Sequence, residues 1–484
     1  MRTFIPFLLI IACCWLPSNA QNSTLYKPAE HPVIIDTDCA PDDFRALNYF
    51  LSDRELDILA ITSTDGTLEP EEGYLKIRTL LNDLGHEGIP SSQGIIAKNE
   101  SPAWRSIAKS FKWGKNLISY SQPTEIKEFL VKIISDEQKK VDIICMGPLT
   151  NIANAILMKP SIKQQINRII WFDQCQPGSK WTNYGMDCLS ADYILNTQIP
   201  VFRIKTREKP LSFNKVLLEK IKQINSPYAQ KIYHTHSTDS LFKKIEGNHL
   251  KLWDDLSAMY YFHPEIFQED TTQADTAGTV IHLKQGINIQ DKITHILNSF
   301  SNHRRTVMKA IPTDTSHYQA DLAPYIKPII EKHGIIEWEA AVIANEMHHH
   351  LGLYSVIGVK MGIRALNYFH ALPEDLNIVS YCGTAPPQSC MNDGLQVATG
   401  STTGNGKFQI KETEMFPKIK VTYKNQIIEV EIKNTPYKAI QQIITEGKKT
   451  HGLGTEAYWS FIREQSLQKW LEMDRQEIFD VNTK

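Results

Sequence analysis

The chain has no excess of positive charge, few cysteines, no internal repeats and no low-complexity segment. Its 52 Lys and Arg residues are balanced by 54 Asp and Glu residues, giving a formal charge of −2. Without a basic surplus to match a phosphate backbone, no nucleic-acid partner is expected. Eight cysteines in 484 residues are too sparse for a disulfide-built scaffold. The 42% of hydrophobic residues can form substantial cores, and the length predicts two or three domains.

The N-terminus differs in character from the rest of the chain. A positive residue precedes an apolar stretch at positions 4–16, and small residues follow up to Ala20. This layout predicts a signal peptide, residues 1–20, and therefore an exported protein that is periplasmic or extracellular. An alternative is a lipid anchor through Cys13, which ends a lipobox-like Ile-Ile-Ala-Cys sequence. Because no other stretch reaches the roughly 20 apolar residues of a membrane-crossing helix, no transmembrane span is expected.

From residue 32 onward, short β-branched runs alternate with helical ones. The predicted strands, apolar on both faces as in a helix-covered parallel sheet, span residues 33–35, 57–63, 141–146, 168–172 and 200–204. The predicted helices span residues 42–51, 69–84, 124–139, 149–157 and 190–197. This alternation predicts an α/β domain with a doubly wound, mostly parallel sheet over residues 28–325. A long helical stretch (321–344) and a β-rich run (418–433) then predict a smaller α+β domain over residues 326–484.

An acidic loop follows the first predicted strand. Its sequence, DTDCAPDD (residues 36–43), places four carboxylates within eight residues, and ligands of open α/β sheets bind at the carboxyl ends of strands. Asp42 and Asp43 suit the first turn of a helix electrostatically, whereas Asp36 and Asp38 would only add repulsion there. Clustered carboxylates without a basic partner are better explained by a hard divalent cation, which prefers oxygen ligands.

This loop resembles the signature of the inosine/uridine-preferring nucleoside hydrolases, D-x-D-P-G-x-D-D, with Cys39-Ala40 in place of Pro-Gly. The resemblance continues through the segments LAITSTDGTLEPEE (59–72), GIPSSQG (88–94), MGPLTNIANAI (146–156) and LWDDLSAMYYFHPEIF (252–267). It covers about residues 30–320. It implies a calcium-dependent hydrolase of N-ribosidic bonds, whose substrate is a small-molecule riboside or a related glycoside.

The same resemblance implies roles for individual residues. Three carboxylates and one backbone carbonyl would bind calcium, namely those of Asp38, Asp43, Asp254 and Thr150. Asp38 would also be the general base for a metal-bound water that attacks the anomeric carbon. The ribose hydroxyls would be held by Asp42 and Asn183.

Three positions depart from the family pattern. Thr67 stands in place of an asparagine and Trp181 in place of a glutamate. Trp253 replaces the histidine that handles the leaving base. Either tryptophan would stack on a planar leaving group or a sugar face, or pack in the core. Because the substrate contacts are altered while the calcium set is complete, the rival interpretation is a riboside- or sugar-binding protein that kept the metal and lost turnover.

A second candidate site lies in the segments MHHHL (347–351) and CMNDGLQ (390–396). Adjacent histidines on a helix point in different directions, so His348 and His350 converge only if the helix ends there. These segments resemble the FmdE family pattern H-G-H-x-C-P-G, C-x-x-D-A-I-Q and T-G-C-T over about residues 330–435. The matched positions, which the resemblance implies as the metal-binding set, are His348, His350 and Cys390, with Asp393 as a further candidate ligand. Imidazole and thiolate donors suit zinc, although Gly352 and Ser401 replace two family cysteines.

Two questions stay open from the sequence. The pairs Cys175–Cys188 and Cys382–Cys390 can form disulfides in an oxidising compartment, and the second would compete with Cys390 as a metal ligand. An amphipathic helix predicted at residues 455–473 would pack either on its own domain or on a partner protomer of a homo-oligomer.

Overall fold

The computed structural model describes residues 31–97, 101–114, 124–173, 180–206, 211–271, 278–299, 307–308 and 310–484. The predicted signal peptide (1–20), Cys13 and Cys175 lie outside these ranges. Across the described ranges, no helix combines the length and the apolar character needed to cross a membrane.

Eight strands form the larger sheet. They are β1 (Val33–Thr37), β2 (Ile58–Ser63), β3 (Ser91–Gln93), β4 (Val141–Cys145), β5 (Ile166–Phe172), β6 (Val201–Ile204), β7 (Phe267–Glu269) and β8 (Thr279–Leu283). Their order is β3-β2-β1-β4-β5-β6-β8-β7. Neighbouring strands run parallel except for β7, which pairs antiparallel with β8 at the edge. The predicted α/β fold with a mostly parallel sheet is confirmed.

Helices cover both faces of this sheet. They are α1 (Pro41–Ser52), α2 (Pro70–Leu84), α3 (Arg105–Ser110), α4 (Ile126–Asp136), α5 (Thr150–Met158), α6 (Asn183–Met186), α7 (Cys188–Leu195), α8 (Lys215–Lys222), α9 (Pro227–His236), α10 (Asp239–Glu246), α11 (Asp255–Phe262) and α12 (Ile289–Ser299). Alternate strand residues face different cores: Ile35 packs in one hydrophobic cluster and Ile34 in the other. Both faces of the central strand are therefore buried, which explains its uninterrupted apolar sequence.

The ends of the first two long helices follow from local chemistry. Pro41 and Pro70 occupy first-turn positions, where proline has no N–H to lose from the helix ladder. Asp42 and Asp43 lie in the first turn of α1, next to the positive end of the helix dipole. Gly85 ends α2 with φ +77°, a left-handed conformation that glycine adopts without a Cβ clash. The five predicted strands and five predicted helices of this region all form, with shifted ends.

A separate mixed sheet follows. Its strands are β9 (Asn377–Ser380), β10 (Phe408–Ile410), β11 (Lys418–Tyr423), β12 (Gln426–Ile432) and β13 (Phe479–Thr483), in the order β10-β9-β11-β12-β13. The helices are α13 (Ala323–His333), α14 (Ile335–Met347), α15 (Leu353–Phe369), α16 (Met391–Thr399), α17 (Asn434–His451) and α18 (Glu456–Glu472). The smaller α+β unit is thus confirmed, while the exact boundary at 325/326 stays a prediction.

Two helical expectations in this unit are refined by the structure. The helical stretch expected over 321–344 forms as two helices, because Gly334 (φ +86°) separates α13 from α14. The amphipathic helix expected at 455–473 forms as α18, and its residues Ile462, Leu467 and Trp470 are buried within its own unit.

The C-terminal end of α15 packs against the first domain. Arg364 pairs with Glu87 at 2.7 Å, and His86 Nδ1 lies 2.6 Å from the carbonyl oxygen of Asn367. The N–H of Gly88 donates to the carbonyl oxygen of Tyr368 at 2.8 Å. These first-domain residues precede β3, so the second unit contacts the edge where the parallel strands begin.

Candidate functional site

Three carboxylates from two distant segments meet at the carboxyl ends of the strands. Oxygen atoms of Asp42, Asp43 and Asp254 all lie within 4.8 Å of one another, and all three side chains are buried. The backbone N–H of Asp254 donates to Asp42 Oδ2 at 3.4 Å. The arrangement joins α1 to the residue that precedes α11, about 210 positions later in the chain. Asp42, expected to hold ribose, thus lies beside two expected calcium ligands.

Asp38 lies next to this cluster in the loop between β1 and α1. Its Oδ2 accepts a hydrogen bond from the backbone N–H of Thr67 at 2.9 Å. The glycines on either side leave no room for a side chain: a Cβ on Gly66 would lie 2.3 Å from Asp38 Oδ2, and one on Gly147 would lie 2.9 Å from Asp38 Cβ. The loops after β2 and β4 therefore close tightly around this carboxylate.

These buried carboxylates have raised pKa values and no positively charged side chain paired with them in the described ranges. Burial raises the pKa of Asp36 and of Asp38 to about 7, and it raises the pKa of Asp254 well above its usual value, with the neighbouring Asp43 adding to the effect. Within the described ranges, none of these acids, nor Asp42, forms an ion pair. Asp254 Oδ1 is buried and has no hydrogen-bond partner there. A divalent cation would supply the missing charge, since buried acids are otherwise costly.

A buried ion pair holds the two metal-facing segments together. Arg45 in α1 donates to both oxygens of Asp255, at 2.9 and 2.7 Å, and Tyr49 donates to Asp255 Oδ1 at 3.0 Å. Arg45 also donates to the carbonyl oxygen of Lys251 at 2.6 Å. The sequence analysis did not identify Arg45 or Asp255. The two adjacent acids of LWDDL (252–256) are the sequence signal for this ion pair. Asp254 faces the carboxylate cluster, and Asp255 binds Arg45.

Thr150 and Asn183, the other predicted calcium-binding and ribose-binding positions, are the first residues of α5 and α6. Thr150 begins α5, and its hydroxyl donates to Asp187 Oδ2 at 2.7 Å. Asn183 Nδ2 donates to the carbonyl oxygens of Met146 and Phe172, at 3.0 and 2.9 Å. These bonds fix the asparagine side chain at the ends of β4 and β5.

The aromatic positions differ in exposure. Trp253 directly precedes Asp254 and is 41% exposed, which argues against the core-packing alternative. Trp181 is half-buried, with Lys180 Nζ 4.8 Å from its ring centre. Thr67 accepts a hydrogen bond from the indole N–H of Trp104 at 3.2 Å. Trp104 is 43% exposed and was not identified from the sequence, because its loop carries no motif.

In the smaller unit, His348, His350 and Cys390 also converge. Their candidate ligand atoms all lie within 4.8 Å of one another, and the two imidazole centres are 4.1 Å apart. Helix α14 ends at Met347, and His349 takes φ +60°. The side chains of His348 and His350 therefore converge, as the sequence analysis expected if the helix ends there.

Asp393 contacts a histidine of this triad and is not one of its three converging ligand atoms. Its Oδ2 lies 2.7 Å from His348 Nδ1, while His348 Nε2 is buried without a partner among the described residues. A carboxylate at Nδ1 fixes the ring orientation and leaves Nε2 as the metal-facing atom. Ser401, at a family cysteine position, donates its hydroxyl to the Leu376 carbonyl at 2.7 Å.

The cysteines leave the thiol of Cys390 available. Cys382 and Cys390 are both free, so the disulfide that would compete with metal binding is not formed. Cys188 is also free and exposed. Cys382 is buried, and its Sγ lies 3.5 Å from Met391 Sδ.

Helix α15 and the large sheet lie between the two candidate sites. The triad borders the start of α15, and the end of that helix contacts the first domain. Seventeen residues at 1.5 Å each place these ends about 25 Å apart. The carboxylate cluster lies at the carboxyl ends of the strands of the large sheet, whereas α15 contacts the side where the strands begin. The two groups of candidate ligands therefore share no residue.

A doubly wound sheet with buried acids at the carboxyl ends of its strands is the architecture of an α/β enzyme, and the acids form a candidate divalent-cation site. Residues 33–315 match the family model described as "Inosine-uridine preferring nucleoside hydrolase". The chain belongs to this family of hydrolases, which act on N-glycosyl bonds. Residues 347–480 match the model described as "FmdE, Molybdenum formylmethanofuran dehydrogenase operon". Both predicted resemblances and the predicted enzyme class are confirmed.

Individual relatives match only part of this chain, at low sequence identity. The pyrimidine-specific ribonucleoside hydrolase RihA of Photobacterium profundum is 28% identical over 218 residues, which are 41% of this chain and 68% of that protein. RihA of Citrobacter koseri is 28% identical over 185 residues, 35% of this chain and 58% of that protein. Among solved structures, the plant nucleoside hydrolase PpNRh1 is 18% identical with a TM-score of 0.48, and the match covers 56% of this chain and 99% of that one.

Proposed function

We propose that the protein is an exported, calcium-dependent hydrolase of N-ribosidic bonds. The observation that carries this proposal is the convergence of Asp42, Asp43 and Asp254 beside Asp38, buried and without a cationic partner among the described residues. Every donor in this set is an oxygen atom, which suits calcium, and the unpartnered Oδ1 of Asp254 gives the ion a ready ligand. Export is supported by the N-terminal sequence, with a lipid anchor through Cys13 as the alternative.

Each residue of the cluster has a distinct task. Asp38, Asp43, Asp254 and the Thr150 carbonyl would hold calcium, which would lower the pKa of a coordinated water. Asp38 accepts the proton as the water oxygen bonds to the anomeric carbon and the bond to the leaving group breaks. Asp42 and Asn183 hold the ribose hydroxyls. The surrounding negative charge favours the positive charge that develops on the sugar in an oxocarbenium-like transition state.

The altered base contacts predict an altered substrate preference. Because Trp253 replaces the leaving-group histidine and is exposed beside Asp254, protonation of a poor leaving base is less assisted. We expect faster cleavage of ribosides with good leaving groups, such as nicotinamide riboside or an activated aryl riboside, than of inosine or uridine. Reducing-sugar release from such a panel, with and without chelator, measures this.

The same panel separates the enzyme from its rival. Stoichiometric bound calcium with no sugar release from any riboside would establish the binding-protein alternative, which Thr67, Trp181 and Trp253 favour. Comparable, efficient cleavage of inosine and uridine would contradict the leaving-group preference while leaving the hydrolase proposal in place.

Calcium is expected to stabilise the protein more at pH 8 than at pH 5. The folded-state pKa of Asp36 and of Asp38 is raised to about 7, so without metal their contribution to stability is full below about pH 4 and is lost as the pH rises through 7. Calcium offsets this loss where the carboxylates are ionised, by about 2.7 kcal/mol at a hundredfold excess over Kd.

Melting temperatures with calcium and with chelator, taken across this pH range, measure the effect. An Asp254→Asn variant serves as control, because it removes a ligand and is expected to lose most of the calcium-dependent shift. An equal calcium-dependent shift at pH 5 and pH 8 would contradict the assignment.

In the smaller unit we propose a zinc centre held by His348, His350 and Cys390. Two imidazoles and one thiolate suit zinc and offer calcium none of the oxygen ligands it requires. The carboxylate of Asp393 behind His348 is the outer partner that metal-bound histidines usually have. A homo-oligomer remains a prediction, although α18 packs on its own unit.

A further inference from the structure

The first turn of α15 borders the zinc-binding triad proposed above. A Cβ built on Gly352, the residue before this helix, would lie 3.4 Å from His350 Nε2 and 3.8 Å from His348 Cδ2. No described side chain caps the first turn. The leading N–H groups and the positive end of the helix dipole therefore lie beside the imidazoles, and they favour an oxygen acceptor or an anionic group there.

Tyr354 adds a buried hydroxyl to the same turn. Its side chain is only 2% exposed, and its OH has no hydrogen-bond partner among the described residues. Gln441 approaches it, but the Gln441 amide donates to the Tyr437 hydroxyl at 2.8 Å instead. Burial raises the pKa of Tyr354. The hydroxyl therefore stays protonated, and Cys390 is close enough to act on it electrostatically.

An exposed aromatic ring lies beside the triad. The ring of Trp459 is 5.0 Å from that of His350, centre to centre, and the residue is 45% exposed. Met347, which directly precedes His348, is 50% exposed. An exposed indole beside a polar site gives the carbon skeleton of a small ligand a flat surface to contact.

We propose that the triad and the Tyr354 hydroxyl form a binding site for a small molecule with a carboxylate or carbonyl oxygen and an apolar body. The proposal rests on the zinc centre proposed above. Three protein donors leave one position of a tetrahedral metal open. The ligand oxygen would take that position and accept the hydrogen bond of Tyr354, while its apolar part lies against Trp459. Binding would satisfy the buried hydroxyl, for which the described part of the chain offers no hydrogen-bond partner.

Cobalt(II) substitution of the full chain tests this, because cobalt reports its coordination through visible absorption. Calcium is kept in excess so that the first-domain site is filled. Benzohydroxamate, a carbonyl-oxygen ligand with an apolar body, is then titrated while the cobalt spectrum is followed. We expect a saturable spectral change, and Tyr354→Phe should weaken the apparent affinity about tenfold without reducing the cobalt content. Tyr368→Phe removes a hydroxyl at the far end of the same helix and should leave the affinity unchanged.

The outcomes distinguish the two proposals. If zinc or cobalt content does not fall in a His348→Ala, His350→Ala double variant, the metal centre is wrong and the ligand site falls with it. If the parent chain binds the metal and the double variant loses it, but benzohydroxamate does not change the cobalt spectrum, the centre is a closed structural site and the ligand site is overturned. If Tyr354→Phe binds the hydroxamate as well as the parent chain does, the tyrosine does not contact the ligand and the proposed site is overturned.

Discussion

Replacing Asp38 with asparagine is expected to lower turnover by about 10²- to 10⁴-fold, the usual contribution of a general base. An amide cannot accept the proton of the attacking water, whereas it can still accept the Thr67 N–H bond that Asp38 Oδ2 accepts at 2.9 Å. The loop should therefore keep its conformation. The measurement is kcat on the best riboside of the panel, together with the melting temperature.

Two controls make this result specific. Bound calcium must be quantified in the variant, because the resemblance also makes Asp38 a metal ligand, and saturating calcium separates weaker binding from a lost base. Asp53→Asn removes a partly buried carboxylate at the opposite end of α1 and should leave turnover near its original value. Turnover within tenfold of the original in Asp38→Asn would show that another group takes the proton.

Local sequence was sufficient where function depends on neighbouring positions. The acidic loop follows an apolar strand and precedes a helix with proline in its first turn, so strand, loop and helix could all be predicted. The convergence of His348 and His350 was equally local, because it required only that α14 end at Met347. In both cases fewer than ten residues determine the geometry.

Contacts between distant elements could not be obtained in that way. Asp254 was assigned through a family resemblance, and Arg45 binding to Asp255 was missed, because the packing of α11 on α1 sets that contact. Tyr354 was also missed, since a tyrosine in an apolar helix ordinarily predicts core packing. Gly334 was taken as part of a helix, where glycine is tolerated at some cost, but its φ of +86° ends one helix and starts the next.

Replacing Arg45 with methionine is expected to destabilise the first domain by about 3–5 kcal/mol. The substitution leaves Asp255 buried beside Tyr49 with no cation, and desolvation of an unpaired charge is the main cost. Because Arg45 also bonds to the carbonyl of Lys251, just before the Asp254 segment, calcium affinity should fall as well. Denaturant unfolding with excess calcium and calcium titration measure the two effects.

A double variant separates the buried charge from lost packing. Arg45→Met with Asp255→Leu removes both charges and should recover much of the lost stability, because an apolar pair can replace a buried ion pair. Arg463→Met breaks an ion pair with Asp321 in which both side chains are more than a third exposed, so it should cost at most about 1 kcal/mol. If the double variant is as unstable as Arg45→Met alone, the packing of the arginine side chain, and not its charge, joins α1 to α11. Calcium affinity would then follow the packing at position 45 and not the pairing of Asp255.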